Sequence, residues 1–275
     1  MAETKHISTE ELDEILTVIQ VNYGYDFSNY SRASITRRII RCMDMAKIKT
    51  PFDLKYSLTN DKKFFSWFLE AVTVNVTEMF RDPEFYKELR ASVIAKLATY
   101  PFIKIWHAGC ATGEEVYSMA IMLQEEGLLE RSRIYATDIN PANLEKARKG
   151  IYPMQYMKGY TQNYILAGGK ADFSDYYTAR YGNAIIRKEL KNNILFSPHN
   201  LVTDQVFNEF QLICCRNVLI YFNKTLQDRV VNLFYDSLSP LGYMALGVKE
   251  SLLFSSARPK FQTISSTQKI YRRKD

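Results

Sequence analysis

Histidine and cysteine are scarce: His6, His107 and His199, with Cys42, Cys110, Cys214 and Cys215, are all that the 275 residues contain. No two cysteines form a C-x-x-C pair, which argues against a structural zinc site and more strongly against a disulfide framework. No metal site is expected, and the thiols read as small core residues in a reducing compartment. No apolar run approaches the roughly 18 residues of a membrane span. The first residues, MAETKHISTEELDEIL, lack the apolar core of an export signal. A cytoplasmic protein without membrane insertion is expected. Charge of one sign is also modest: a net +6 reads as a solubility feature more readily than as a nucleic-acid footprint. The 47% hydrophobic and 24% charged residues suit a soluble globular chain. A chain of this length buries roughly three quarters of its unfolded surface without a covalent staple.

Residues 1–80 read as a small all-helical domain. Ser8-Thr9-Glu10-Glu11 offers an N-cap, and Leu12, Ile15, Leu16 and Ile19 follow at helical spacing until Tyr23-Gly24-Tyr25 breaks the pattern. Helical period returns from about Tyr30 to Ala46 through Ile35, Ile39 and Met43. A short helix starts at Pro51, and another runs from Asp61 to Val76 with Phe64, Phe65, Trp67 and Phe68. The boundary is expected near Phe80-Arg81-Asp82-Pro83, where the proline interrupts helix.

Over residues 81–275 the texture is α/β. Strand patterns at Phe102–Trp106, Arg133–Thr137, Ile194–Ser197, Leu212–Cys215 and Tyr243–Val248 alternate with helical ones at Glu114–Glu125, Pro141–Arg148 and Leu226–Leu238. This alternation predicts a mostly parallel, Rossmann-like sheet covered on both faces, with closing strands between Lys260 and Arg272. From Gly150 to Asn192 the alternation fails in a tyrosine-rich stretch too long for a connection, which is expected to be an inserted subdomain.

The most informative segment runs from Ile105 through Gly109-Cys110-Ala111-Thr112-Gly113 to Glu114-Glu115, a strand, a glycine turn and a helix. Gly109 lets backbone approach a ligand, and the helix N-terminus presents free N–H groups. A phosphate-binding loop would carry lysine after Gly113; the two glutamates there suit a positively charged ligand such as S-adenosylmethionine. The turn is not the G-x-G-x-x-G of a dehydrogenase. Asp138 ends the next strand, where an acidic residue accepts ribose hydroxyls; the alternative is that it caps the helix beginning near Pro141. Asn200-Leu201 and Arg216-Asn217 end later strands at the same sheet edge.

Four ordered blocks then make the chain resemble the CheR family of chemotaxis receptor methyltransferases. They are Asn75-Val76-Thr77-Glu78-Met79-Phe80-Arg81-Asp82, Ala108 to Ser118, Ala136-Thr137-Asp138-Ile139, and Cys215 to Phe222. The resemblance implies an S-adenosylmethionine pocket lined by Asn75, Thr77, Arg81, Glu115, Asp138, Asn200, Leu201, Arg216 and Asn217, with S-adenosylhomocysteine as the product left there. It places Arg81 and Tyr221 nearest the methyl group, as catalytic residues. The bland alternatives are a helix-capping arginine and a tyrosine buried beneath the sheet edge. It implies that Arg37, Arg38 and Arg41 meet acidic helices of the receptor's cytoplasmic domain, and that residues from about 158 to 193 form the family's small β-subdomain. Met79 and His107 depart from the family pattern, where an aromatic and a serine are common. The expected activity is methyl esterification of receptor glutamates by a monomer. A nucleic-acid methyltransferase is disfavoured because no Asn/Asp-Pro-Pro-aromatic motif occurs. A binding-only regulator and a methyltransferase acting on another acidic protein are the remaining rivals.

Overall fold

The computed structural model describes residues 6–73 and 77–275. The chain divides into two compact units, Met1–Val74 with Ile220–Gln227, and Asn75–Leu219 with Asp228–Asp275.

The first unit is helical: α1 (Thr9–Tyr23), α2 (Arg32–Met45), α3 (Pro51–Asn60) and α4 (Lys62–Val72). Its start is locally encoded. The Ser8 hydroxyl accepts the Glu11 N–H at 3.2 Å while the Glu11 carboxylate accepts the Ser8 N–H at 2.8 Å, a reciprocal capping box. Gly24, at φ +77°, closes α1 in the left-handed conformation. Leu12, Ile15, Ile19, Ile35, Ile39, Leu54, Phe65 and Phe68 share one buried cluster. The helix expected to reach Val76 stops at Val72, because Thr73 turns extended (ψ 139°); residues 74–76 lie outside the described residues. A distant segment completes the unit. The Ser31 N–H donates to the Tyr221 carbonyl at 2.8 Å, Tyr30 pairs with Phe222 in an antiparallel bridge, and the Asn223 N–H donates to the Asn29 carbonyl at 2.9 Å.

In the second unit, α5 (Pro83–Leu89) passes through a π-turn at Arg90–Ile94 into α6 (Ala95–Leu97). There follow β1 (Ile103–Ala108), α7 (Glu114–Glu125), β2 (Ser132–Asp138), α8 (Pro141–Lys149), β3 (Ile151–Pro153), α9 (Met154–Leu166), β4 (Tyr177–Arg180), β5 (Asn183–Ile186), α10 (Lys188–Lys191) and β6 (Ile194–Pro198). The chain ends with β7 (Phe210–Cys215), α11 (Lys224–Ser237), β8 (Leu238–Leu246), β9 (Phe261–Ser265) and β10 (Ile270–Arg273). The main sheet has the order β6-β2-β1-β7-β8-β10-β9, parallel from β6 to β8 and antiparallel at β10 and β9. Strand order reverses between β1 and β7, which is where an open α/β sheet presents its ligand crevice.

Strand β1 is buried on both faces except at the half-buried Lys104, so its apolar residues do not alternate with exposed ones. Ile105 joins the cluster that holds Val116 and Ile121 of α7. Trp106 points to the other face, against Phe210 and the Phe234 ring of α11. The late strand begins at Leu238, earlier than expected, and ends at Leu246, with an irregular register opposite Phe210–Leu212. The cysteines are free and buried, and no helix among the described residues is long and apolar enough to cross a membrane.

The tyrosine-rich insertion holds the small antiparallel sheet β3-β5-β4, starting at Ile151. One carboxylate ties it to the main sheet's helices. Glu125, near the end of α7, accepts the Tyr164 hydroxyl, the Tyr176 hydroxyl at 3.0 Å and the Lys170 N–H at 3.0 Å, and pairs with Arg90 at 2.6 Å.

Candidate cofactor site

The turn after β1 is pinned before any ligand arrives. The N–H groups of Gly109 and Cys110 both donate to the Thr137 carbonyl, at 2.8 and 2.9 Å. Gly109 sits at φ +74°, and a Cβ there would lie 2.6 Å from a methyl of Val218, so only glycine fits between the β1 turn and the loop after β7. At Gly113, φ +94°, a Cβ would likewise lie 2.9 Å from the Cβ of Ala147, so glycine lets α7 start close against α8.

Asp138 knits this turn to the next. Its Oδ2 accepts the Ala111 N–H at 2.9 Å, and its Oδ1 accepts the Asn140 N–H at 2.8 Å and the Asn143 amide at 3.2 Å. Burial raises its pKa, and the donated hydrogen bonds oppose that. The cap of α8 is Asn140, whose side chain accepts the Ala142 N–H at 2.9 Å, so the capping alternative for Asp138 does not hold. Oδ2 keeps a lone pair for a hydroxyl donor. The His199 N–H reaches the Asp138 carbonyl at 3.3 Å, bringing Asn200 and Leu201 to the same edge; the Asn200 side chain accepts the Val202 N–H at 3.0 Å.

A second group is built around Arg216. This arginine, 7% exposed, donates through Nη1 to Glu115 Oε2 at 2.9 Å and through Nη2 to Asp82 Oδ2 at 2.7 Å and the Arg81 carbonyl at 3.2 Å. Its guanidinium lies 3.9 Å over the Phe85 ring. On the other side of Glu115, His107 Nδ1 sits 2.9 Å from Oε1. Burial alone would raise the Glu115 pKa; Arg216 and His107 outweigh it and hold the carboxyl at about 2. Glu115 is therefore a fixed anion at neutral pH. His107, Glu115 and Cys214 bring three ligand-type atoms within 4.8 Å of one another, but burial pushes the Cys214 thiol well above its ordinary pKa and keeps it protonated, a poor metal ligand.

Backbone strain brackets Arg81. Phe80 and Asp82 are non-glycine residues in the left-handed region, at φ +53° and +58°. Such residues persist only where surroundings over-determine them. Here the Phe80 N–H is held by the Ser118 hydroxyl at 2.9 Å and Asp82 by Arg216. Thr77 is half-buried, and Asn75 lies outside the described residues. Tyr221 falls in the first unit, where the Arg38 guanidinium lies 4.0 Å over its ring.

Sequence reasoning passed over Glu250. This residue, 4% exposed, accepts the Asn217 N–H at 3.0 Å and the Gly247 N–H at 2.6 Å with one oxygen, fixing Asn217 at φ +62°. A Cβ on Gly247 would come within 2.8 Å of the Asn217 nitrogen, so strand end and loop touch backbone to backbone. The only signal in the sequence was an acidic residue beside Lys249, which spacing cannot separate from a surface pair. Glu250→Ala should orphan the buried Gly247 N–H and the partly buried Asn217 N–H, at roughly 1–3 kcal/mol for the first and less for the second, lowering stability by about 2–4 kcal/mol. Urea unfolding reads this directly, alongside a loss of S-adenosylhomocysteine affinity by calorimetry; wild-type values in both would sink the role.

Glu114, adjacent to the anion Glu115, is buried instead and accepts the Thr112 hydroxyl at 2.7 Å. The donor set suits S-adenosylmethionine: an ionised carboxylate for its ammonium group, an aspartate with spare acceptor capacity for a ribose, and a glycine turn at close approach. It does not suit a pyrophosphate, which the fixed anion Glu115 would repel.

Residues 75–270 match the family described as CheR methyltransferase, SAM binding domain, and residues 10–73 match CheR methyltransferase, all-alpha domain. A protein of Pseudomonas putida named "Putative methyltransferase Cher3" is 51% identical over 263 residues, covering 96% of each chain. The chemotaxis protein methyltransferase of Escherichia coli is 29% identical over 271 residues, covering 95% of this chain and 90% of its own. That of Listeria innocua is 29% identical over 238 residues, covering 86% and 88%. An all-α domain over residues 10–73 followed by an S-adenosylmethionine-binding α/β domain over residues 75–270 makes this chain a member of the CheR methyltransferase family.

Proposed function

We propose that this protein esterifies glutamate side chains of chemotaxis receptors, producing glutamate methyl esters and S-adenosylhomocysteine. The observation that carries the reading is the Arg216–Glu115–Asp82 cluster, which holds the backbone of Arg81 in a strained loop within a family of methyltransferases. The names of the Escherichia coli and Listeria relatives point to chemotaxis as the setting.

Bound S-adenosylmethionine supplies a methyl group on positively charged sulfur. Glu115 would hold its ammonium group, Asp138 its ribose, and Asn75, Thr77, Asn200, Leu201 and Asn217 the rest. Arg81 would receive the incoming glutamate carboxylate, and Tyr221 would orient it through its hydroxyl. A glutamate, with a pKa near 4.3, is already ionised at neutral pH and asks for no general base. This agrees with His107, which is buried and bonded to Glu115 rather than free to move protons. The protein's contribution is then alignment, worth up to about 7–11 kcal/mol in favourable cases. Exposed Arg37 and Arg41, one turn apart on α2, would meet acidic receptor helices and mainly raise the encounter rate.

The test is incubation with radiolabelled S-adenosylmethionine and receptor cytoplasmic fragments, followed by mild base. Label released as methanol is the expected result, and Arg81→Ala should lose about 10- to 100-fold in rate, the worth of one charge-assisted contact. Cofactor binding without labelled receptor would remove the substrate assignment and favour a binding-only regulator.

A further inference from the structure

Helical spacing groups Arg37, Arg38 and Arg41, but the structure separates them. Arg37 and Arg41 are exposed, whereas Arg38 is half-buried. Its guanidinium carbon lies 4.0 Å from the centre of the Tyr221 ring, and its Nη1 donates to the Val72 carbonyl at 3.3 Å, at the end of α4. The backbone around Tyr221 is fixed from the same helix. The Ser31 N–H, at the start of α2, donates to the Tyr221 carbonyl at 2.8 Å, and the flanking Phe222 and Asn223 pair with Tyr30 and Asn29. The Tyr30 ring meets the Phe222 ring edge-on at 5.0 Å. Two turns of α2 therefore grip this tyrosine at both ends, by its main chain through Ser31 and by its ring face through Arg38.

We infer that Arg38 is a positioning residue for Tyr221, setting the plane of its ring and the direction of its hydroxyl, and is not part of the arginine face offered to the receptor. The inference rests on the reading above in which the Tyr221 hydroxyl orients the acceptor carboxylate. A guanidinium suits the task because it is flat and weakly hydrated, stacks on an aromatic face, and keeps N–H groups free for a carbonyl at its edge. Lysine offers the charge without the plane. A half-buried arginine held against a ring and a helix-terminal carbonyl is poorly placed to pair directly with an acidic helix, which its exposed neighbours Arg37 and Arg41 can reach.

Steady-state methylation of receptor fragment by the full-length protein separates the two roles. Arg38→Ala should lower kcat about tenfold, the scale of one partly desolvated cation–π contact, and leave KM for receptor and affinity for S-adenosylhomocysteine near wild type. Arg38→Lys should not restore kcat. Combining Arg37→Ala with Arg41→Ala should raise KM at unchanged kcat. In the Tyr221→Phe background, Arg38→Ala should add nothing, since the hydroxyl it aims is gone. An Arg38→Ala variant that raises KM like the exposed pair, is rescued by lysine, or multiplies with Tyr221→Phe would overturn the inference. A Tyr221→Phe enzyme with full kcat would remove the role of Tyr221, and this inference with it. A readout independent of turnover guards against failure of the receptor assignment. Fluorotyrosine placed at position 221 should change its fluorine resonance in Arg38→Ala and keep it in Arg37→Ala. No change in Arg38→Ala overturns the inference whatever the receptor assay gives.

Discussion

Arg216→Met is expected to unfold at markedly lower denaturant and to lose most of its affinity for S-adenosylhomocysteine. Methionine fills similar volume against Phe85, so the loss is electrostatic rather than a cavity. In the wild type one guanidinium serves Glu115, Asp82 and the Arg81 carbonyl at once, in a site where its side chain is 1% exposed. Removing it leaves the Glu115 carboxylate without its cationic partner, and breaking a buried pair from one side costs about 3–5 kcal/mol. The same disruption frees Asp82 and the strained loop at Arg81, so cofactor affinity should fall by at least about thirtyfold.

The acid branch of the stability profile carries a second mark of the same pair. Glu115 is held at about 2 against an ordinary 4.5, so its native state binds protons less readily than the unfolded chain. The resulting stability is fully present above the ordinary value and is lost as pH falls through the native one. Arg216→Met should therefore lose stability less steeply than wild type between those limits, in urea titrations at a series of pH values. Near-wild-type stability and cofactor affinity in this variant would refute the assignment of Arg216 as the hub.

Glu114→Gln is expected to do the reverse and stabilise. Burial pushes this carboxyl up to about 7 from 4.5, with the Thr112 hydroxyl and its own backbone bond opposing the rise. Here the folded state holds a proton that the unfolded chain has released, so the wild type loses stability as pH climbs through that window and levels off above it. Glutamine keeps an oxygen for Thr112 and carries no charge to desolvate. The variant should match wild type below the window and exceed it by up to about 3 kcal/mol at pH 8, the equivalent of the shift. A difference that stays flat with pH would show that Glu114 is not the titrating group. Two consecutive glutamates at the start of α7 thus have opposite fates. One meets Arg216 and His107, the other a wall that includes Tyr152 and Tyr160.

That divergence marks the limit of what the sequence makes legible. Local signals carried far. Ser8 and Glu11 stand at the spacing of a capping box and form one, and the β1–turn–α7 pattern led directly to Gly109 and Glu115. Helical geometry put Arg37 and Arg41 on one exposed face. What stayed hidden depends on partners remote in the chain. Glu114 and Glu115 differ only through groups supplied by other elements. Glu250 looks like half of a surface pair until β8 folds beside β7. Strand β3, three residues long, is too short to show a period, so the small sheet begins at Ile151, inside the tyrosine-rich stretch but ahead of the start near residue 158 that the resemblance implied. The aspartate at the end of β2 was legible as polar and ligand-facing; that it first serves to lace two turns together follows only from the folded backbone.

The pairing of Asn29 with Asn223 spans 194 residues. On a ribosome adding about 5–20 residues per second, α1 to α4 would wait roughly 7–30 s after Val72 is made before the segment that completes their unit exists. The helices themselves are short-range structures that form far faster than that. During synthesis the first unit must therefore wait as a nearly finished bundle with the edge at Asn29–Ser31 unpaired and the face of Arg38 uncovered. The first unit is therefore closed late, by a segment made long after its helices, and the tyrosine assigned to the reaction is placed by that closing step.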